Sequence, residues 1–220
     1  MEQVKITEEI SYITSSIEPL SAEIGIIEGK DYLYLFDVGN NKEVSEHLQT
    51  LPKKKKIVLS HFHPDHIGNI GNVSFEKLYV GVNTEKYLHN YIFDYATEAM
   101  EDAKDKQSRY KIVLEPIRIE DGIKLEIYPI PNSHAKGSLA LLVEEQYLFL
   151  GDALYCKRKD GKCVYNAQLL KEEIELLKKL SAKFVVSSHA IPLVREKSIE
   201  LSKLEEIYVK RKKDDAYIVI

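Results

Sequence analysis

Two cysteines in 220 residues, Cys156 and Cys163, are too few for a disulfide framework or a cysteine-built metal cage. The N-terminus lacks the basic, apolar, small-residue order of a signal peptide, and no apolar run approaches the roughly 20 residues of a membrane span. No membrane contact is expected, and the cytoplasm is the expected compartment. Its reducing conditions predict that Cys156 and Cys163 stay free thiols. Positive charge is not in excess either: 31 Lys and Arg face 35 Asp and Glu, a formal net charge of -4, so nucleic acid is not an expected partner. The one basic run, Lys53 to Lys56, lies between a helical stretch and an apolar strand and reads as a solvated turn. Linkers and low-complexity segments are missing as well. With 44% hydrophobic and 30% charged residues the chain reads as one globular domain over 1–220.

What is present is concentrated in one stretch. Ser60-His61-Phe62-His63-Pro64-Asp65-His66-Ile67-Gly68-Asn69 follows the apolar run Ile57-Val58-Leu59, which reads as a buried strand. In extended backbone the side chains of His61 and His63 share one side and Phe62 takes the other. Pro64 then suits the first position of a helix, so Asp65 and His66 depart in a new direction. So many polar groups gathered at the mouth of an apolar strand are costly unless something binds them, and a metal is the simplest partner.

Around this stretch the pattern alternates strands and helices. Ile10 to Thr14, Ala22 to Glu28 and Tyr32 to Asp37 read as strands, and Glu28-Gly29-Lys30-Asp31 as a hairpin link. Asn40 or Asn41 caps a helix over Lys42 to Leu51, and Lys77 to Gly81 gives the next strand. From Thr84 to about Ser108 the chain turns polar and helical, with Tyr87, Tyr91 and Tyr95 on one stripe, a candidate lid or a packed face. Lys111 to Ile119 and Ile123 to Ile130 flank a second hairpin signal, Glu120-Asp121-Gly122. Strands over Ser138 to Val143, Gln146 to Leu150 and Phe184 to Ser187 follow, with helices over Ala167 to Leu180 and Arg195 to Lys213.

The run His61-x-His63-x-Asp65-His66 with Ile67-Gly68-Asn69 resembles the signature of the metallo-β-lactamase-fold hydrolases. Three later stretches resemble that family's motifs in order: Asn132-Ser133-His134-Ala135-Lys136-Gly137-Ser138, Gly151-Asp152-Ala153-Leu154, and Ser188-His189. Phe36-Asp37-Val38-Gly39 falls where the family keeps an aspartate behind its ligands. The resemblance implies an α/β fold, a four-layer αββα sandwich of two mixed sheets. It also implies two divalent metal ions, zinc first, with iron or manganese accepted by the same donors. Carried over position by position, His61, His63 and His134 would hold one ion, Asp65, His66 and His189 the other, and Asp152 would bridge them.

Such a pair of ions shares a hydroxide at neutral pH, with Asp65 orienting it and moving its proton, so the expected reaction is hydrolysis. Asp37, Ser60 and Ser133 are candidates for fixing the imidazoles, and Tyr155 for touching either the substrate or the packing around it. Glutathione thioesters are disfavoured because little chain follows His189 to form the helical substrate domain of that subfamily. Nucleases of the fold carry extra domains or a basic arm, and β-lactamases lack the Asp152 bridge. The oxygen-reducing di-iron group has an acid where this chain has His63. A small ester, thioester or lactone is the expected substrate. The alternatives are a phosphodiesterase on the same ions, a mono-iron sulfur dioxygenase, and a metal-binding protein without catalysis.

Overall fold

The computed structural model describes residues 2–91, 109–212 and 214–220. Among them two large sheets stack between layers of helix. One has seven strands in the order Gln3–Lys5, Ile10–Ile13, Ile24–Glu28, Tyr32–Phe36, Lys54–Val58, Lys77–Val80 and Tyr110–Ile112. Its first four strands run antiparallel and its last four, sharing Tyr32–Phe36, run parallel. The other has six, Ile117–Glu120, Lys124–Ile130, Ser138–Val143, Tyr147–Gly151, Phe184–Ser187 and Val194–Glu196, antiparallel except where Tyr147–Gly151 meets Phe184–Ser187.

Alternation along doubly buried strands builds three apolar layers. Tyr34, Phe36, Val58 and Tyr79 of the first sheet meet Ile127, Leu139, Leu141 and Phe149 of the second, forming the inner core. Leu33, Leu35, Ile57 and Leu78 point the other way, onto Val44 and Leu48 of the helix Lys42–Thr50 and Leu88 of the helix Val82–Tyr91. Leu142, Leu148 and Val185 face Leu170, Ile174 and Leu177 of the helix Ala167–Lys179 and Leu204 of the helix Lys197–Val209. Asn41 caps Lys42–Thr50 by accepting from Glu43 N at 2.9 Å. The two hairpin links expected at Gly29 and Asp121 meet: Asp121 accepts from the amides of Asp31 and Tyr32 at 2.9 and 3.0 Å, joining the sheets at one end.

Three local expectations are corrected. The strand expected over Lys111 to Ile119 is divided, with Tyr110–Ile112 pairing in the first sheet and Ile117–Glu120 in the second. Pro116 has no amide to offer a ladder, and the chain crosses between sheets over exposed Leu114. The last helix begins two residues late, because Val194–Glu196 first pairs with Phe184–Val186, and the apolar tail is a strand, Tyr217–Val219, on Lys162–Asn166. Lys54 to Lys56 lie in a strand, and Lys55 is buried with Nζ donating to the Leu51 carbonyl at 2.9 Å.

Of the lid expected over 84–108, residues 92–108 lie outside the described residues. In the described part, Tyr87 stacks on Phe62 with ring centroids 5.8 Å apart. No helix among the described residues is long and apolar enough to cross a membrane.

Candidate metal centre

Strand ends and the loops after them deliver the site. The pairing of Lys54–Val58 extends through Leu59, whose amide donates to Tyr79 O at 3.0 Å, and the chain then leaves the sheet through His61 and His63. As the sequence predicts, Pro64 opens a short helix, Pro64–Ile67, that carries Asp65 and His66. The loop after Phe36 folds over that helix, with the amides of Val38 and Gly39 both donating to His66 O. The His134 loop docks on the end of Lys77–Val80, where a Cβ at Gly81 would land on the Gly137 carbonyl oxygen. Gly151 takes a φ of 55° and a side chain there would strike Ser60 Oγ, so glycine is required immediately before Asp152.

All seven expected ligands converge, in two groups whose donor atoms lie within 4.8 Å of one another: His61, His63, His134 and Asp152, and Asp65, His66 and His189. In the first, His63 Nδ1 sits 2.9 Å from His61 Nε2 and 3.0 Å from His134 Nε2. In the second, Asp65 Oδ2 is 2.9 Å from His189 Nε2 and 3.4 Å from His66 Nε2. Asp152 turns one oxygen to each group: Oδ2 is 3.3 Å from His134 Nε2, and Oδ1 is 3.5 Å from His66 Nε2 and 3.9 Å from His189 Nε2.

The donors fit a pair of cations. His66 Nε2 and Asp152 Oδ1 are buried without a hydrogen-bond partner, which is costly for atoms of this polarity unless an ion completes them. Their neighbours fix which ring nitrogen faces inward. His66 Nδ1 donates to Asp37 Oδ2 at 2.7 Å, and His61 Nδ1 lies 3.0 Å from Ser60 Oγ, whose hydroxyl donates to the same Asp37 oxygen at 2.7 Å. Both rings therefore present Nε2 to the centre. Asp37 reaches this position at a φ of 64°, a backbone conformation that aspartate tolerates better than most residues.

Charges differ across the centre. Burial, reinforced by the surrounding histidines, holds His61 well below the usual imidazole range, and His63 is lowered by burial and His134. Burial also opposes the charge on His66, but Asp37 and Asp152 outweigh it and push this imidazole up to about 10. Burial raises Asp65, but the His189 hydrogen bond and the His66 charge override it and hold its carboxyl below the usual range. Behind them burial, then Asp37, push Glu23 well above the carboxylate range, an acid the sequence did not single out.

The four supporting residues make contacts of different kinds. Asp37 and Ser60 hold imidazoles. Ser133 instead accepts from Asn166 N at 2.9 Å, tying the His134 loop to the start of the helix Ala167–Lys179. Tyr155 donates its hydroxyl to the carbonyl of Ser188, immediately before His189, which itself sits at a φ of 59°. Cys156 and Cys163 are joined in a disulfide, which corrects the expectation of free thiols. The turn at Asp160 and Gly161 doubles the chain back and brings their Cα atoms to 5.5 Å, within bridging range, so local hairpin geometry overrides the argument from compartment. The Cys156 carbonyl lies 3.4 Å from His134 Nδ1. Nothing in the sequence marks that contact.

Residues 17–189 match the metallo-beta-lactamase superfamily. No curated protein matches significantly. Among solved structures, the chain is similar to an archaeal metallo-beta-lactamase superfamily protein from Sulfolobus tokodaii: 20% identity, TM-score 0.63, covering 95% of this chain and 90% of that one. It is also similar to rubredoxin oxygen:oxidoreductase from Desulfovibrio gigas, at 13% identity and TM-score 0.72, over 96% of this chain and 63% of that one. A stereoselective inverting sec-alkylsulfatase from Pseudomonas sp. aligns at 16% identity and TM-score 0.67, over 94% of this chain and 41% of that one. At such identities the likeness is one of fold, shared by a hydrolase and an oxidoreductase.

Proposed function

The chain belongs to the metallo-beta-lactamase superfamily, and from that premise we propose that it is a metal-dependent hydrolase cleaving an ester, thioester or lactone of a small molecule. One observation carries the reading: two groups of imidazole and carboxylate donors share Asp152, with His66 Nε2 and Asp152 Oδ1 left unpartnered between them. Two divalent ions held there, zinc first and iron or manganese by the same donor chemistry, would supply an acidified water and a Lewis acid for the carbonyl oxygen.

The chain's own residues do the rest. Asp65, held ionised and partly open to solvent, would accept a proton and hand it to a leaving group. Asp37 and Ser60 keep His61 and His66 in one tautomer. Phe62, stacked on Tyr87 and 5.1 Å from the His63 ring, sets an apolar face beside the donors. The cytoplasm remains the proposed compartment.

The test is elemental analysis of purified protein joined to a screen of p-nitrophenyl esters, thioesters, lactones and phosphodiesters. Close to two ions per chain, with ester, thioester or lactone turnover that chelation stops and zinc restores, is the expected result. One iron per chain with oxygen consumption would instead indicate a sulfur dioxygenase, and turnover confined to phosphodiesters a phosphodiesterase. Bound ions with no turnover would leave a metal-binding protein, and metal-free protein would sink the whole reading.

A further inference from the structure

Between Asp152 and the helix Ala167–Lys179 the chain forms a hairpin to which the proposed hydrolysis gives no role. Its strands are Lys157–Lys159 and Lys162–Asn166, and the Cys156–Cys163 disulfide runs from the residue before the first strand to the second residue of the other. Both cysteines are half-buried, while residues 157–162 are exposed and include Lys157, Arg158, Lys159 and Lys162 against the single acid Asp160. A reductant can reach such a bond.

The hairpin holds the His134 loop at two points, one on each side of the bridge. On one side the Cys156 carbonyl faces His134 Nδ1 at 3.4 Å; on the other, Asn166 N donates to Ser133 Oγ at 2.9 Å. The Asn166 side has a further anchor, since Lys162–Asn166 pairs with Tyr217–Val219, and Tyr165, donating to Leu154 O at 3.0 Å, links it to the chain just before Cys156. The outer strand, Lys157–Lys159, pairs only with its hairpin partner among the described residues. Opening the bridge therefore removes the covalent tether of the Cys156 side, which keeps only its hairpin ladder and the bonds of Leu154 and Tyr155, while the Asn166 side stays docked on a further strand.

We propose that Cys156–Cys163 is a reversible thiol–disulfide site, opened by a dithiol reductant, and that its state sets how firmly His134 is held as a ligand. The inference rests on the two-metal reading, and not on the choice of substrate. In the forward step one thiolate of the reductant attacks a cysteine sulfur, the S–S bond breaks, and the departing cysteine takes up a proton. The reductant's second thiol then resolves the mixed disulfide, leaving two cysteine thiols and an oxidised reductant, a two-electron exchange. With the Cys156 carbonyl held less firmly, the acceptor that orients the His134 ring is weakened, and full loss of such an acceptor costs roughly tenfold or more in metal affinity at comparable sites.

The experiment compares oxidised and dithiothreitol-reduced protein, folded and loaded with cobalt(II). Alkylation after reduction is expected to label two cysteines without unfolding. One of the two cobalt ions is expected to leave to a competing chelator about tenfold more readily, and reoxidation to reverse this. The Cys156→Ser/Cys163→Ser double variant should behave as the reduced form. In metal-free protein the His134 ring signals should shift on reduction while those of His66, held by Asp37, stay put. Equal cobalt retention with an unmoved His134 signal would overturn the inference alone, as would a bridge that opens only on unfolding. Failure of both forms to take cobalt would overturn the two-metal reading and this inference with it.

Discussion

The four donors around His61 and the three around His66 lie side by side, yet they differ in how they wait for an ion. Behind His61 stands a hydroxyl, Ser60 Oγ at 3.0 Å; behind His66 stands a carboxylate, Asp37 Oδ2 at 2.7 Å. The hydroxyl offers no charge to offset burial, so the His61 ring stays neutral. The carboxylate, with Asp152 in front, keeps a proton on His66 up to a pH of about 10. One half of the centre is prepared to receive a cation, and the other must first release a proton. Asp152 is the group that faces both halves.

Removing Asp152 should therefore erase the contrast. Asp152→Ala is expected to lower metal content at both halves and kcat/KM by about a thousandfold, on the order of 4 kcal/mol. Elemental analysis and turnover of the best ester, thioester or lactone check this. Loss of only one ion would show that the halves stand independently.

Asp37→Asn attacks the difference itself. Asparagine tolerates the φ of 64° at this position, so the backbone should survive the change. The partner lost by His66 predicts roughly 10- to 100-fold weaker binding of the second ion. His61 contacts Asp37 only through Ser60 and should hold its ion nearly as before. Calorimetric titration with zinc reads both affinities, and equal loss in both would contradict the assignment.

The two halves should also respond differently to pH. Filling the second half displaces the His66 proton, so its affinity is expected to rise about tenfold per pH unit from near 7 until the curve flattens near 10. His61 and His63, both lowered from 6.5, should give the first half a flat response above that pH. The stability of metal-free protein follows the same signs. The raised His66 stabilises fully below pH 6.5 and loses its contribution as pH climbs towards about 10. The lowered His61 and His63 contribute above 6.5 and lose it as pH falls. Calorimetry in buffers of unlike ionisation enthalpy counts the protons released, and the same count for both ions would contradict the contrast.

This asymmetry was only partly legible in the sequence. His61, His63, Asp65 and His66 lie within six positions, and strand alternation followed by Pro64 is enough to aim them in two directions. The sandwich was legible because Leu33, Tyr34, Leu35 and Phe36 are apolar at every position, as a strand between two packed layers must be. Which sheet received Tyr110–Ile112 was not, since Tyr-Lys-Ile is a short, largely exposed edge strand whose pattern does not name its partner. Ser133 and Tyr155 were read as groups near a ligand, but a hydroxyl's partner depends on where distant backbone passes, here Asn166 N and Ser188 O. The cysteines were read through their compartment, whereas a turn at Asp160 and Gly161 decides their pairing.

Tyr155 offers the finest cut between the halves, because it reaches the second one through backbone alone. Its hydroxyl donates to the Ser188 carbonyl, and His189 follows at a φ of 59°, a conformation that the neighbouring peptide must help to hold. Tyr155→Phe keeps the ring and deletes that one bond, a loss of about 1 kcal/mol in stability. If the tyrosine positions His189, the second ion should be held a few-fold more loosely and kcat should fall, while KM stays the same. A tyrosine that touched substrate would give the opposite split, with KM raised and metal retention untouched. The first ion serves as the internal control, since neither Tyr155 nor Ser188 contacts His61, His63 or His134 through a hydrogen bond. A variant that weakened that ion as much as the second would mean that the bond braces the whole loop and not one ligand.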